Sequence, residues 1–255
     1  MVFNMLSLKS IKTQLMLYLV CFALFLAIKD RDFTFLFTTL VAVISALTIE
    51  VLILYLKTKA LQITESAIIT GLIIGYVISS DETWWKIIIA AAIAIISKYV
   101  IRFRKMHIFN PAAFGILVST ILLGVSTQWK GTYFWYILIP FGVYFVYKIR
   151  KAEIIIGYAI ISLTLFGAQA FFQKISPWNI FGYFSYFYIF IMIIEPKTTP
   201  INPLGKYIFG AGVAAFIFIL TEVGTKFDVE LFSLLAMNAT APLLNKLSLK
   251  KGGAA

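Results

Sequence analysis

Ten apolar runs, separated by short polar or basic connections, decide in which solvent this 255-residue chain can fold. They fall at approximately 13–28, 33–56, 66–80, 84–103, 111–127, 131–148, 153–173, 179–194, 204–222 and 229–246. The hydrocarbon of a bilayer is about 30 Å thick and takes roughly 20 helical residues to cross. Charged residues make up only 13% of the chain, against about 25% in a soluble domain. A water-soluble core has no room for so much apolar surface, so lipid is the solvent. The expected fold is an all-α integral membrane protein with ten transmembrane segments, forming one transmembrane domain over residues 1–255. The first run begins near Thr13 with no small-residue cleavage site, and reads as a retained helix.

The net charge of +11 raises the question of nucleic acid, and its distribution answers it. Assigned to alternate connections, sixteen of the 22 Lys and Arg fall on one side and six on the other. That is the positive-inside pattern. It predicts a multi-pass protein of the cell inner (cytoplasmic) membrane with both termini cytoplasmic, and no nucleic-acid partner.

Ten segments divide into five plus five, about 13–127 and 131–247, which an odd number per half inserts in opposite senses. The third run, SAIITGLIIGYVISS, is short, and so is the eighth, which contains Gly182. The last run of each half carries asparagine and proline: Asn110-Pro111 in one, Asn238 and Pro242 in the other. Paired short or interrupted segments point to a midplane site, because a helix ending in lipid leaves backbone groups that only a ligand, a cavity or other protein can satisfy. Small residues recur at spacing four, at Gly71 and Gly75 and at Gly210 and Ala214. For the first pair, helix packing and room for a planar ligand both remain open; for Gly210 packing is the better reading.

Ionisable groups inside lipid are functional candidates by default. Glu50 either binds a cation or proton or pairs with a lysine such as Lys57 or Lys59. Glu195 ends a segment where a helix C-terminus disfavours negative charge, which favours a functional or pairing role. His107, beside Arg102, Arg104 and Lys105, reads first as a headgroup-facing residue and second as a ligand. Asn110 before Pro111 fits a helix N-cap. The aromatic stretch from Phe181 to Phe190 either stacks on a ring or faces lipid. One histidine and one cysteine, Cys21, provide neither bis-histidine haem ligation nor an iron–sulfur cluster within this chain alone. No Walker, HExxH, GxSxG or GxGxxG motif occurs. No metal site and no catalytic residue is expected.

The order SAIITGLIIG, WW, HIFNPAAFG, IIEPKTTPINPLGKYIFG, LLAMNATAPLL resembles the NqrB/RnfD family, membrane proteins of the sodium-pumping NADH:quinone reductase and of the Rnf electron-transport complex. The similarity covers roughly residues 30–247. It implies two inverted five-helix halves, similar to urea transporters, in a flavin-bearing subunit coupled to Na⁺ or H⁺ movement. It places Asn110 and Pro111 at a non-covalent flavin (riboflavin or FMN) site with His107 beside them. It also makes Glu195 the acid of the acid–proline loop, sets Ser66, Thr70 and Gly71 in a region associated with cofactor and quinone, and puts Asn238 in the final asparagine helix. These eight are the candidate cofactor-binding residues; Glu50 and Glu195 are the ion-coupling candidates. The chain departs from the family in one respect. The covalent-FMN Ser/Asp-Gly-Ala-Thr motif is missing, and the connection that should hold it is only Val125 to Thr132.

Two functions follow. The first is a membrane electron-transfer subunit of an Rnf/Nqr-type ion-translocating redox complex, carrying electrons rather than catalysing, with other membrane subunits as partners and a quinone or small molecule as ligand. The second is a transporter or channel for a small solute, such as a flavin, through the same cavity; a plain scaffold for other subunits is a third.

Overall fold

In a computed structural model, residues 10–103, 106–174, 176, 178, 181–182 and 184–247 are described. Their helices are α1 (Ile11–Asp30), α2 (Phe33–Thr58), α3 (Glu65–Val77), α4 (Trp84–Val100), α5 (Pro111–Leu123), α6 (Trp135–Lys148), α7 (Ala152–Phe172), α8 (Pro203–Val223) and α9 (Val229–Leu244). Two additions depart from an all-α reading. A two-residue ribbon pairs β1 (Arg102–Phe103) with β2 (Met106–His107) ahead of α5, and a single π-helical turn covers Tyr188–Met192.

Four helices, α1, α2, α7 and α8, are long and apolar enough to cross a bilayer, at 20, 26, 21 and 21 residues. Ile28, Leu40, Ile44, Leu52, Ile160 and Val223 lie exposed along them, an apolar exterior that only lipid accommodates. The protein is membrane-embedded. The other helices are shorter: α3 and α5 have 13 residues each, or about 20 Å of helix, too little to cross alone.

The eighth apolar run differs most from its expectation. Its start at Asn179 lies outside the described residues, and its described part is the π-helical turn with flanking turns rather than a helix. Gly182 and the polar Ser185 within the run, and Pro196 after it, leave too little uninterrupted sequence for a long helix. The fifth and sixth runs also shrink. Gly124 (φ 62°) ends α5 in the left-handed conformation and Gly131 (φ 88°) keeps the next residues out of helix.

Helix starts are marked in the chain. Asp32 accepts from Phe35 N (2.9 Å), Thr64 from Ala67 N (3.2 Å) and Asn110 from Ala113 N (3.1 Å). Asn202 accepts from Gly205 N (2.6 Å) and Asp228 from Leu231 N (3.0 Å). Asn110 and Asn202 are each followed by proline at the first helical position, where its missing N–H costs nothing.

Small residues set the tightest crossings. A methyl group on Gly71 would stand 2.5 Å from Val43 Cα, and one on Gly75 would meet Thr39, so α3 lies directly on α2. Gly210 sits on the Ile154 carbonyl of α7 in the same way. Tyr76 anchors the centre: fully buried, it donates to the Leu19 carbonyl (2.7 Å) and stacks on Phe187 at 4.9 Å, with Phe22 and Phe35 around it. The end of α3 is capped from far along the chain. Lys130 N and Gln128 N donate to the Tyr76 and Val77 carbonyls (2.7 Å each), so no carbonyl is stranded where the helix stops.

Candidate functional site

The interrupted elements meet around a cavity of about 360 Å³. α1 contributes Lys12, α3 Ser66 and Thr70, α5 Pro111 with its cap Asn110, and the segment after the π-helical turn Glu195 and Lys197. Most of the remaining wall is aliphatic or aromatic, including Ile73, Phe145 and Phe190. A mainly apolar hollow of this size with a few convergent polar groups is what a small-molecule site requires.

Asn110 ties the site together. Its Oδ1 caps α5, its backbone N–H donates to Asn238 Oδ1 (2.9 Å), and its Nδ2 reaches the Met192 carbonyl at 3.5 Å. Asn238 Nδ2 donates to the Thr198 carbonyl (3.1 Å). Both asparagines are buried, at 2% and 0% exposure, so each bond replaces water for a backbone group of a broken element. The second Nδ2 hydrogen of Asn110 is left over for an acceptor in the cavity.

Five of the eight candidate residues line this cavity: Ser66, Thr70, Asn110, Pro111 and Glu195. Thr70 is turned back on the Ser66 carbonyl (2.8 Å). Glu195 is half-buried, and the Thr198 hydroxyl donates to its carboxylate at 3.4 Å. His107 and Asn238 instead line an adjoining, more polar hollow of about 500 Å³, walled off by Pro196 and Lys197, which face both. His107 Nδ1 lies 3.0 Å from the Phe109 carbonyl, so the proton sits on Nδ1. Burial holds this ring below the usual histidine pKa, and the positive charge of Lys197 pushes the same way. Gly71 lines neither hollow; it is spent on the contact with α2.

Glu50 also lies outside both hollows. Its Oε1 accepts from Lys98 Nζ (2.8 Å) and the Tyr99 hydroxyl (2.8 Å), and its Oε2 from Thr64 (2.6 Å). The partner is Lys98, not Lys57 or Lys59, whose ammonium groups lie over the Tyr99 and Tyr55 rings. Lys98 also donates to Ser66 Oγ (3.1 Å), linking the pair to the cavity wall. Sequence reasoning missed Lys98, Lys12 and Lys197. Lys98 was counted as an orientation-setting charge, but it stands a helical turn inside α4, which marks it as buried.

The comparisons with known proteins bear on this arrangement. The sequence model of the NQR2, RnfD, RnfE family matches residues 2–133 and 122–252. The chain belongs to that family. Among its relatives, the RnfD subunit of the ion-translocating oxidoreductase complex of Escherichia fergusonii is 34% identical over 99 residues, 37% of this chain and 28% of the relative. Proteins of the same name from Erwinia tasmaniensis and Cronobacter sakazakii are 37% and 35% identical over 95 residues, 35% of this chain and 27% of each relative. The matched stretch thus spans little more than a quarter of these curated relatives.

Proposed function

We propose that the chain is a membrane subunit of an ion-translocating electron-transfer complex and holds a flavin non-covalently in the inner cavity. The cavity carries this reading, because it brings Ser66, Thr70, Asn110, Pro111 and Glu195 together from separate elements. Family membership and the printed names of the relatives supply the redox context. The donor set fits the group. Apolar walls suit a planar ring, the free Asn110 amide hydrogen suits a ring carbonyl, and Lys12 and Lys197 offset negative charge on the ligand. A bound flavin would supply one- and two-electron carriage. The residues themselves orient the ring and exclude water.

The same reading takes the chain as two inverted halves, with α3 paired to the eighth run and α5 to α9, and termini on the cytoplasmic side of the inner membrane. The short α3, the π-helical turn, the asparagines of α5 and α9, and a family match divided near residues 122–133 support it. Missing Gly-Ala-Thr and a short connection between α5 and α6 favour a second reading, a transporter of a small solute through the same cavity.

Purified protein tests the choice. Acid denaturation releases a compound with flavin absorbance and fluorescence, and Asn110→Ala lowers the flavin recovered per chain. Colourless protein that carries solute into liposomes would establish the transporter instead.

A further inference from the structure

A second set of buried oxygens lies away from the inner cavity, where α7, the Ser185–Met192 stretch and the start of α9 meet. Glu230 is in the first turn of α9, and the Ser185 hydroxyl faces its carboxylate. Ser185 Oγ is 3.4 Å from Thr132 Oγ1 and accepts from Tyr188 N at 3.4 Å. Tyr158 and Tyr188 lie within electrostatic range of Glu230. One turn along from Glu230 on α9 stands Ser233.

Two features of this cluster are unexplained by packing. The hydroxyl oxygens of Tyr188 and Ser233 are sealed from solvent with no hydrogen-bond partner, on side chains that are 0% exposed. A buried hydroxyl left unpaired is costly, and several at one place call for an occupant such as an ion or water. Glu230 also lacks a basic partner. Glu50, Glu82, Glu153 and Asp32 each pair with a lysine, whereas no lysine or arginine among the described residues forms an ion pair with Glu230. Its neighbour Asp228 is occupied, accepting from Thr127, Trp129 and the backbone of α9.

We propose that Glu230, with the hydroxyls of Ser185, Tyr158 and Tyr188, forms a binding site for a monovalent alkali cation, sodium in the first place. All the donors are oxygen, which selects a hard cation over zinc or copper. One carboxylate among neutral hydroxyls balances a single positive charge; a divalent ion would carry uncompensated charge into a low-dielectric site. Glu230 is half-buried, so the ion enters beside Asp228 and Thr127. The site shares no residue with the inner cavity, and its test needs no flavin, so its failure leaves the reading above untouched.

The full chain in lipid nanodiscs is unfolded thermally in NaCl, KCl or choline chloride at matched ionic strength, and ²³Na line widths are measured in parallel. Sodium raises the midpoint above that in choline and broadens the resonance. Glu230→Gln abolishes both effects, and Tyr188→Phe weakens the apparent affinity about tenfold or more. Ser119→Ala, which removes an unpartnered buried hydroxyl on α5, changes neither. If Glu230→Gln does not fold, Tyr188→Phe carries the comparison. Equal midpoints in sodium and choline, or a sodium effect that survives in the substituted protein, overturn the site.

Discussion

At the scale of single residues, two asparagines and one histidine carry the most specific consequences. Asn238 bonds both the Asn110 N–H and the Thr198 carbonyl, so Asn238→Ala orphans two buried backbone groups. Each is expected to cost about 1–3 kcal/mol, read as a lower unfolding midpoint in detergent. Asn238→Asp is expected to do worse, since a carboxylate gives no hydrogen to the Thr198 carbonyl. His107 makes a signed pH prediction. Its pKa is lower in the folded protein than in the unfolded chain, so the unfolded state takes up more protons as the pH falls through the ordinary histidine value. The stability from the neutral ring is present above that value and lost below it. His107→Gln is expected to flatten the pH dependence of the midpoint in this window. The Asn110 cap was legible in the sequence because Asn-Pro before an apolar run has a local cause; its bond to Asn238, 128 positions away, has none.

At the scale of elements, the interest lies in how short helices are held. α3 stays in place because Gly71 and Gly75 let it lie on α2 and because Gln128 and Lys130 cap its end. Gly71→Ala forces the two backbones apart, and overpacking of this kind typically costs about 1–3 kcal/mol. A thermal midpoint unchanged by this substitution would mean that α3 does not rest on α2. The pair of Glu50 and Lys98 makes a sharper case. Removing one partner of a buried ion pair strands the other, at about 3–5 kcal/mol, whereas replacing both is often neutral. Glu50→Gln and Lys98→Met are each expected to lower the midpoint strongly, and the double substitution to recover much of the loss. Single substitutions without effect on stability would instead point to a carboxylate free to take part in ion movement. Short runs were readable as short from their length. That the eighth would be a π-helical turn was not, because helix, turn and strand compete closely over a few apolar residues and packing against Tyr76 and Gly142 decides the outcome.

At the scale of the whole molecule, charge and lipid set the orientation. The proposed topology puts the connection after α2 and the one after α8 on opposite faces. In a Cys21→Ser background, a membrane-impermeant thiol reagent on intact cells is expected to label Lys226→Cys and spare Lys59→Cys, both exposed positions. Labelling of both, or the reverse pattern, would invert or dissolve the topology.

What the sequence by itself determined is the environment and the inventory: a lipid solvent, the apolar runs, and the polar residues that lipid makes too costly to place idly. Those follow from transfer free energies, which depend on a residue and its near neighbours. Which of these residues share a cavity, that Glu50 meets Lys98 across 48 positions, and that Glu230 sits unpaired among buried hydroxyls were decided only by the tertiary structure. The physical reason is that backbone groups freed at each break find partners wherever the packed chain brings them, and sequence spacing carries no record of that distance.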